Sequence, residues 1–239
     1  MKKGIYILPN SLTLCGMFCG FFAILAAFKG NYFQAAWAIL IANIFDGLDG
    51  WVARLTNSTT KFGVELDSLS DLIAFGVAPA ILIYSWGLQE FGRFGIGTAF
   101  LYVICGALRL ARYNVQMVST ESKAFTGLPI PGAGTVIASL VLFHYEVWGS
   151  TIEKNYLVIF LPFLLAVLMV TTLRFHALKE IDFKKRKPFW LLVVIGTALV
   201  LIIMYPEIVI FLFAIIYVLW GIIEGSYIIH KKRKYKEIV

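Results

Sequence analysis

The sequence predicts an all-α protein, a polytopic integral membrane bundle of about eight transmembrane helices. Hydrophobic residues make up 60% of the 239 residues, and the mean hydropathy is +0.83. Ordinary globular domains are only about 45–50% apolar. Apolar runs recur along the chain, and each is long enough to cross about 30 Å of hydrocarbon as a helix. These observations argue against a soluble protein.

Eight spans account for the apolar runs, and the segments that join them are short and polar. We therefore predict a single membrane-embedded domain over residues 1–239, in which the last two helices, about residues 188–229, are accessory. The predicted spans are Ser11–Phe28, Phe33–Arg54, Phe62–Trp86, Gly95–Arg112, Gly132–Trp148, Tyr156–Leu173, Pro188–Met204 and Ile208–Ile229.

The distribution of basic residues predicts the orientation. With both termini in the cytoplasm, 18 of the 21 Lys and Arg residues fall on the inner side, and only Lys29, Arg93 and Lys154 fall outside. This is the positive-inside pattern of a multi-pass cell-membrane protein, and it requires an even number of spans. The net charge of +7 then reflects topology and attraction to membrane phospholipids, and no nucleic-acid partner is expected.

Four aspartates break the rule that membrane spans avoid charge. Asp46 and Asp49 lie at the cytoplasmic end of the second span, and Asp67 and Asp71 lie at the start of the third. Charged residues at such depth mark function by default. Residues three or four apart share a helix face, and the short turn Leu55–Lys61 makes the two helices antiparallel neighbours. The four carboxylates are therefore predicted to face one another, with the active site towards the cytoplasm.

Small residues share these faces. Gly50 and Ala53 lie on the face of the first aspartate pair with Arg54 at its edge, and Gly63 lies four residues before the second pair. Such residues leave room for a ligand, such as a nucleotide, to approach the backbone. They could equally serve only to let the helices pack closely.

The carboxylates predict a metal site. Four negative charges in a small volume repel strongly where the dielectric constant is low, and two divalent cations would neutralise them. An all-oxygen ligand set suits Mg²⁺ or Mn²⁺, with Ca²⁺ as an inhibitor or substitute, and argues against zinc. Two-metal sites recur in displacement at phosphorus, because the ions stabilise the attacking and leaving oxygens together.

The same residues form a motif that resembles the signature of the CDP-alcohol phosphotransferase family. The resemblance implies that Asp46, Asp49 and Asp67 bind metal. It implies that Asp71 both ligates a metal and takes the proton from the attacking hydroxyl. All eight signature positions match, and they are Asp46, Asp49, Gly50, Ala53, Arg54, Gly63, Asp67 and Asp71.

The resemblance also implies a pocket for the CDP-lipid. Four signature residues, Gly50, Ala53, Arg54 and Gly63, would hold the CDP moiety, and the planar fork of the arginine suits a phosphate oxygen. Near the N-terminus, the element that contains Asn10 and Thr13 resembles one that lies close to the CDP-lipid in the family. Capping of the first helix by Asn10 or Ser11 is an adequate alternative.

Two further segments resemble the phosphatidylserine synthase branch of the family. They are Leu108–Asn114, which contains Arg109 and Arg112, and Phe125–Pro131. The arginines share one helix face, where one of them could clamp the carboxylate of serine. Alternatively, both extend to lipid headgroups and anchor the helix. The loop Gly127–Pro131 is predicted to be non-helical throughout and to form a lid or wall over the site.

The predicted reaction transfers a phosphatidyl group from CDP-diacylglycerol to the hydroxyl of L-serine and releases CMP. Glycerol 3-phosphate or inositol phosphate as acceptor, or an archaeal ether lipid as donor, would use the same chemistry. A cation channel or transporter is a different class that could use an acidic cluster. However, the sequence holds no second copy of the acidic helix pair, as an internal repeat would require. The expected protein partner is a second copy of the chain, in a homodimer.

Overall fold

The structure, a computed structural model, describes residues 6–118, 127–149, 156–173, 196, 200–201 and 203–236. The described residues are helical and contain no β-strand, as the sequence predicts. The principal helices are α1 (Ile7–Phe28), α2 (Tyr32–Leu55), α3 (Lys61–Phe91), α4 (Arg93–Val118), α5 (Ile130–Trp148), α6 (Tyr156–Val170) and α7 (Pro206–Lys236).

Six of these helices, all but α6, are long and apolar enough to cross a membrane, so the chain is a multi-pass membrane protein. The apolar part of α6, Val158–Val170, is shorter. The predicted span Pro188–Met204 lies mostly outside the described residues, so the count of eight and the orientation of the termini stay predictions. The predicted break before the last span is confirmed, because Tyr205 is non-helical and Pro206 begins α7.

Small side chains allow the first three helices to approach closely. A Cβ built on Gly20 would come within 2.6 Å of the Cα of Ala74, so α1 and α3 cross there with almost no side chain between them. Close approach of this kind is a common way to pack membrane helices, since lipid gives little hydrophobic drive for association. Buried alanines line the same core: Ala23, Ala26, Ala27, Ala35, Ala36, Ala42, Ala74 and Ala78.

The third helix is longer than the predicted Phe62–Trp86 and is not a uniform α-helix. It widens into π-helical turns over Leu72–Val77 and Tyr84–Leu88. Tyrosines on other helices donate to a carbonyl in each wide turn: the Tyr102 hydroxyl to the carbonyl of Phe75 (3.0 Å) and the Tyr32 hydroxyl to that of Ser85 (2.9 Å). These hydrogen bonds satisfy backbone carbonyls that would have no partner in lipid. The first wide turn begins directly after Asp71, and such turns are frequent at functional sites.

The prediction that Gly127–Pro131 is non-helical throughout is wrong for its last two residues. Ile130 and Pro131 form the first turn of α5, where a proline is tolerated because its missing N–H would have no intrahelical acceptor. Gly127 adopts a φ of 86°, and its N–H donates to the carbonyl of Leu173 (2.8 Å). The irregular part of the segment therefore packs against the end of α6.

The alternative that Asn10 or Ser11 caps the first helix is also wrong. The helix begins at Ile7, so both residues lie inside its first turns. Pro9 does not prevent this early start, since the first N–H groups of a helix lack intrahelical partners. The Ser11 hydroxyl donates back to the carbonyl of Ile7 (2.8 Å).

Candidate active site

A tight turn brings the two acidic helix segments together. Between α2 and α3, Asn57 takes a φ of 48°, a left-handed conformation that asparagine tolerates better than most residues. Thr60 then caps α3, because its side chain accepts a hydrogen bond from the N–H of Gly63 (3.0 Å). The end of α2 and the start of α3 therefore lie side by side, as the sequence predicts.

Three of the four aspartates form a compact cluster. Asp46, Asp49 and Asp67 each place a carboxylate oxygen within 4.8 Å of the others. Asp49 is the most enclosed of the three, with 6% of its surface exposed, whereas the other two are partly buried. The fourth, Asp71, lies within hydrogen-bond distance of Asp46. All four predicted metal ligands thus meet at one end of the bundle.

The donor set of this cluster fits a hard divalent cation. The ligand atoms are carboxylate oxygens, which Mg²⁺, Mn²⁺ and Ca²⁺ prefer. In a poorly solvated site, several carboxylates this close together repel unless positive charge lies among them. Asp46, Asp49 and Asp67 are the residues that could hold such an ion, and Asp71 is near enough to contribute.

A threonine on the first helix fixes the orientation of one carboxylate. The Thr13 hydroxyl is buried and donates to Oδ2 of Asp49 at 2.6 Å. The backbone carbonyl of Thr13 in turn accepts a hydrogen bond from the hydroxyl of Ser70 (3.1 Å). Thr13 therefore links α1 to both acidic helices, a role that the sequence did not reveal. Hydrogen bonds of this kind orient the ligands of metal sites.

We predict that Thr13→Val weakens metal binding while Thr13→Ser does not. The valine is similar in size but cannot donate to Asp49, and loss of such an outer contact typically costs about 10–100-fold in metal affinity or activity. The measurement is the Mg²⁺ concentration that gives half-maximal activity. Ser11→Ala is the matched control, because, among the residues that the structure describes, that exposed hydroxyl bonds within its own helix. Equal Mg²⁺ requirements in Thr13→Val and Ser11→Ala would contradict this role.

A cavity of about 190 Å³, whose lining includes charged, amide and hydroxyl side chains, opens beside the cluster. Two of the clustered carboxylates, Asp49 and Asp67, belong to its wall. All six residues predicted to bind the CDP-lipid line the same cavity. The full lining is Pro9, Asn10, Thr13, Asp49, Gly50, Ala53, Arg54, Ser58, Thr59, Thr60, Gly63, Val64 and Asp67.

Two glycines keep the cavity wall thin. A Cβ on Gly63 would lie 3.2 Å from Oδ1 of Asn10, and a Cβ on Gly50 would lie 3.4 Å from a terminal nitrogen of Arg54. The separation at Gly63 is tighter than ordinary van der Waals contact, whereas that at Gly50 is at its lower limit. A side chain at position 63 would therefore crowd the amide of Asn10, a residue that lines the cavity. This favours the interpretation that the small residues leave room for a ligand. Their role in binding a nucleotide stays a prediction.

The two arginines of the fourth helix lie in different environments. Arg109 is buried, with 7% of its surface exposed, and lies near enough to Asp71 for their opposite charges to attract. Its Nε has no hydrogen-bond partner among the described residues. Arg112 instead donates from Nη1 to the carbonyl of Val170 (3.1 Å) and from Nη2 to that of Met169 (3.3 Å). Arg112 thus contacts the C-terminal end of α6, where a cation is favourable.

Several residues near the site were missed by the sequence analysis. Asn114 donates from Nδ2 to the hydroxyl of Ser68 (3.0 Å) and so ties α4 to α3 beside Asp67. Thr60 and Ser70 support the acidic helices from the turn and from within α3. The only sequence signal for these contacts is a hydroxyl or amide side chain close to an acidic residue in an apolar segment, and that pattern does not identify the partner.

Fold and site together define a multi-pass membrane protein with a cluster of carboxylates, which fits a divalent cation, beside a cavity. The chain matches the family model of CDP-alcohol phosphatidyltransferases over residues 6–172, a range that contains every residue of the acidic cluster and of the cavity wall. The chain belongs to the CDP-alcohol phosphatidyltransferase family.

Curated relatives resemble the chain over most of its length. A CDP-diacylglycerol–serine O-phosphatidyltransferase of Helicobacter pylori strain 26695 is 38% identical over 231 residues, which cover 95% of this chain and 94% of the relative. An archaetidylserine synthase of Methanothermobacter thermautotrophicus is 40% identical over 172 residues, or 70% of this chain and 69% of that protein. A CDP-diacylglycerol–serine O-phosphatidyltransferase of Bacillus subtilis strain 168 is 38% identical over 56% of this chain and 74% of its own.

Proposed function

We propose that this protein is an enzyme that transfers a phosphatidyl group from CDP-diacylglycerol to the hydroxyl of L-serine, giving phosphatidylserine and CMP. Family membership supports the chemistry, and the names of the relatives support serine as the acceptor. The observation that carries the proposal is that Asp49 and Asp67 belong both to the carboxylate cluster and to the cavity wall. A cation held by the cluster would therefore meet a ligand in the cavity.

Different residues of the cavity wall are proposed to bind different parts of the CDP-lipid. Gly50, Ala53 and Gly63 leave space for the CDP moiety, and the guanidinium of Arg54 suits a phosphate oxygen. Asn10 and Thr13 complete the wall on the side of α1. A relative named for archaetidylserine keeps an ether lipid as an alternative donor.

In the proposed reaction, Asp71 accepts the proton of the serine hydroxyl as its oxygen attacks the lipid-bearing phosphorus. The new P–O bond forms as the P–O bond to CMP breaks, and CMP leaves with the electron pair. Asp46, Asp49 and Asp67, with Asp71 as a further ligand, would hold two divalent cations such as Mg²⁺ or Mn²⁺, which would supply positive charge for the phosphate oxygens. Arg109 is the better placed of the two arginines to bind the serine carboxylate, because Arg112 already contacts the end of α6.

The acidic end of the bundle is proposed to face the cytoplasm from the cell membrane. The basic residues support this orientation, because 18 of the 21 are predicted on the same side as the aspartates. Serine would then reach the site from the cytoplasm, and CDP-diacylglycerol from the inner leaflet. A homodimer stays a prediction.

The function is tested by CMP release from CDP-diacylglycerol with purified protein. Serine, glycerol 3-phosphate and inositol phosphate are supplied in parallel reactions, and we expect CMP release to depend on serine. A reaction driven by glycerol 3-phosphate or inositol phosphate, with serine inert, would keep the family chemistry but refute the proposed acceptor.

We predict that Arg109→Gln raises the KM for serine by roughly tenfold to more than a hundredfold, since hydrogen bonds to charged groups are worth about 1.5–3 kcal/mol. The KM for CDP-diacylglycerol should change little, because Arg109 does not line the cavity. Arg112→Gln, the matched variant, should mainly lower thermal stability, because it removes the contacts to the end of α6. Loss of CDP-lipid affinity in both variants, with normal serine dependence, would assign the arginines to the lipid phosphate instead.

A further inference from the structure

A proline follows the first wide turn of α3, at a position where an α-helix would supply a hydrogen-bond donor. Pro79 lies four residues after Phe75, so in a regular α-helix its nitrogen would face the carbonyl of Phe75. Proline has no N–H to offer, and its ring crowds that carbonyl. The helix is wide just before the proline, where the N–H of Ala78 donates to the carbonyl of Ile73, five residues back instead of four. The sequence thus leaves the carbonyl of Phe75 without the donor that a regular α-helix gives.

Tyr102 of α4 supplies a donor to this carbonyl. Its side chain is fully buried, and its hydroxyl donates to the carbonyl of Phe75 at 3.0 Å. A buried hydroxyl or carbonyl that loses its partner costs about 1–3 kcal/mol, so the two groups favour the arrangement in which they meet. The hydrogen bond therefore sets how far α3 is shifted along α4.

Two other helices contact the same wide turn at close range. A Cβ built on Gly134 of α5 would come 3.2 Å from the Cα of Phe75. On another side, the close crossing of Gly20 and Ala74 brings α1 against the residue before it. Helices α1, α4 and α5 thus meet at two consecutive residues of the turn, so neighbouring helices determine its position.

The wide turn determines in its turn where Asp71 lies, because it begins directly after that residue. Phe75 follows Asp71 by four residues, about one turn of helix. A shift of the carbonyl that Tyr102 binds would therefore move the carboxylate as well. Arg109 follows Tyr102 by seven residues and lies on the same face of α4. The hydrogen bond of Tyr102 thus also sets the position of Asp71 relative to Arg109.

We propose that Tyr102 is a positioning residue for the reaction, whose hydrogen bond to the wide turn of α3 holds Asp71 where it can take the proton of the acceptor hydroxyl. The inference rests on the proposed function, because it takes Asp71 as the base. Tyr102 is not among the residues that line the cavity, so it acts through Asp71 and not on the CDP-lipid. A misplacement of about 1 Å can cost about 10²-fold in rate.

The test is Tyr102→Phe, which removes the hydroxyl and keeps the buried ring. We expect the kcat for CMP release with serine, per site that binds CDP-diacylglycerol, to fall by roughly tenfold to a hundredfold. The KM for CDP-diacylglycerol should change little. Tyr32→Phe is the matched control, because it makes the same change at the other wide turn of α3, where the Tyr32 hydroxyl donates to the carbonyl of Ser85 (2.9 Å). It should keep the wild-type kcat.

A double variant separates positioning of the base from general support of the fold. When Asp71→Asn has already removed the base, adding Tyr102→Phe should leave the residual turnover unchanged, because residues that act through one another are not additive. If Tyr102→Phe lowers that residue-71 variant by the same factor as the wild type, it only supports the fold and the inference is overturned. A wild-type kcat in Tyr102→Phe, or an equal loss in Tyr32→Phe, also overturns it. Absence of serine-dependent CMP release in the wild type would instead reject the proposed function itself.

Discussion

Turnover of Asp71→Asn is expected to fall by at least about two orders of magnitude, in line with general-base contributions of roughly 10²–10⁴. Asparagine keeps the size of the side chain and one coordinating oxygen but cannot accept the proton of the acceptor hydroxyl. The effect should appear in kcat, because Asp71 is not among the residues that line the cavity. Single-turnover kinetics with saturating serine measures it.

The matched variant is Asp49→Asn, which changes a residue that does line the cavity. CDP-diacylglycerol binding should suffer more in Asp49→Asn than in Asp71→Asn. The opposite pattern, in which Asp71→Asn loses nucleotide binding while the remaining bound lipid reacts at the normal rate, would show that the role of Asp71 as base is wrong.

Removal of divalent cations is expected to abolish activity, and Mg²⁺ or Mn²⁺ should restore it. The reason is the cluster of Asp46, Asp49 and Asp67, whose oxygens lie within 4.8 Å of one another, because carboxylates this close repel each other and a phosphate ligand unless positive charge lies between them. The measurement is CMP release after dialysis against excess EDTA, followed by titration with each metal ion.

Two controls show whether the loss of activity is due to removal of the metal ion. EDTA saturated with Mg²⁺ should leave activity intact, which excludes an effect of the chelator on the membrane. Asp67→Asn should require more Mg²⁺ than the wild type at every stage of the titration. Full turnover in excess EDTA would eliminate the two-metal hypothesis.

The sequence predicts the acidic site well because local geometry determines most of it. Asp46 and Asp49 share a face on one helix, as do Asp67 and Asp71 on the next, and a turn of a few residues leaves the two helices little freedom. The side-by-side placement of the pairs follows from these facts. The predicted role of each residue comes from the family resemblance and goes further than the geometry.

Contacts between distant helices are not predictable in the same way. The bond from Thr13 to Asp49 depends on how α1 rotates and how closely it approaches α2, where a Cβ on Gly16 would lie only 3.6 Å from the carbonyl oxygen of Ala42. The π-helical turns of α3 depend similarly on other helices, because hydroxyls of Tyr102 and Tyr32 satisfy carbonyls within them. Apolar residues that recur with the 3.6-residue period of an α-helix do not indicate where a π-helical turn will form.

The two arginines show how tertiary structure separates residues that are equivalent in sequence. Arg109 and Arg112 share a face of α4, and residue spacing gives both the same possible role. The end of α6 distinguishes them, since it provides carbonyls to Arg112 and none to Arg109 in the described structure. The position of that helix end depends on long-range packing, so residue spacing could not separate the two.

The most direct test of the central claim uses serine labelled with ¹⁸O in its hydroxyl group. Purified protein receives CDP-diacylglycerol, labelled serine and a divalent metal, and mass spectrometry follows the lipid and the nucleotide. Direct attack by the serine hydroxyl predicts that the label is retained in phosphatidylserine, that CMP is unlabelled, and that one CMP is released per lipid formed. CMP release with phosphatidic acid as the lipid product, or phosphatidylserine without the label, would contradict the account.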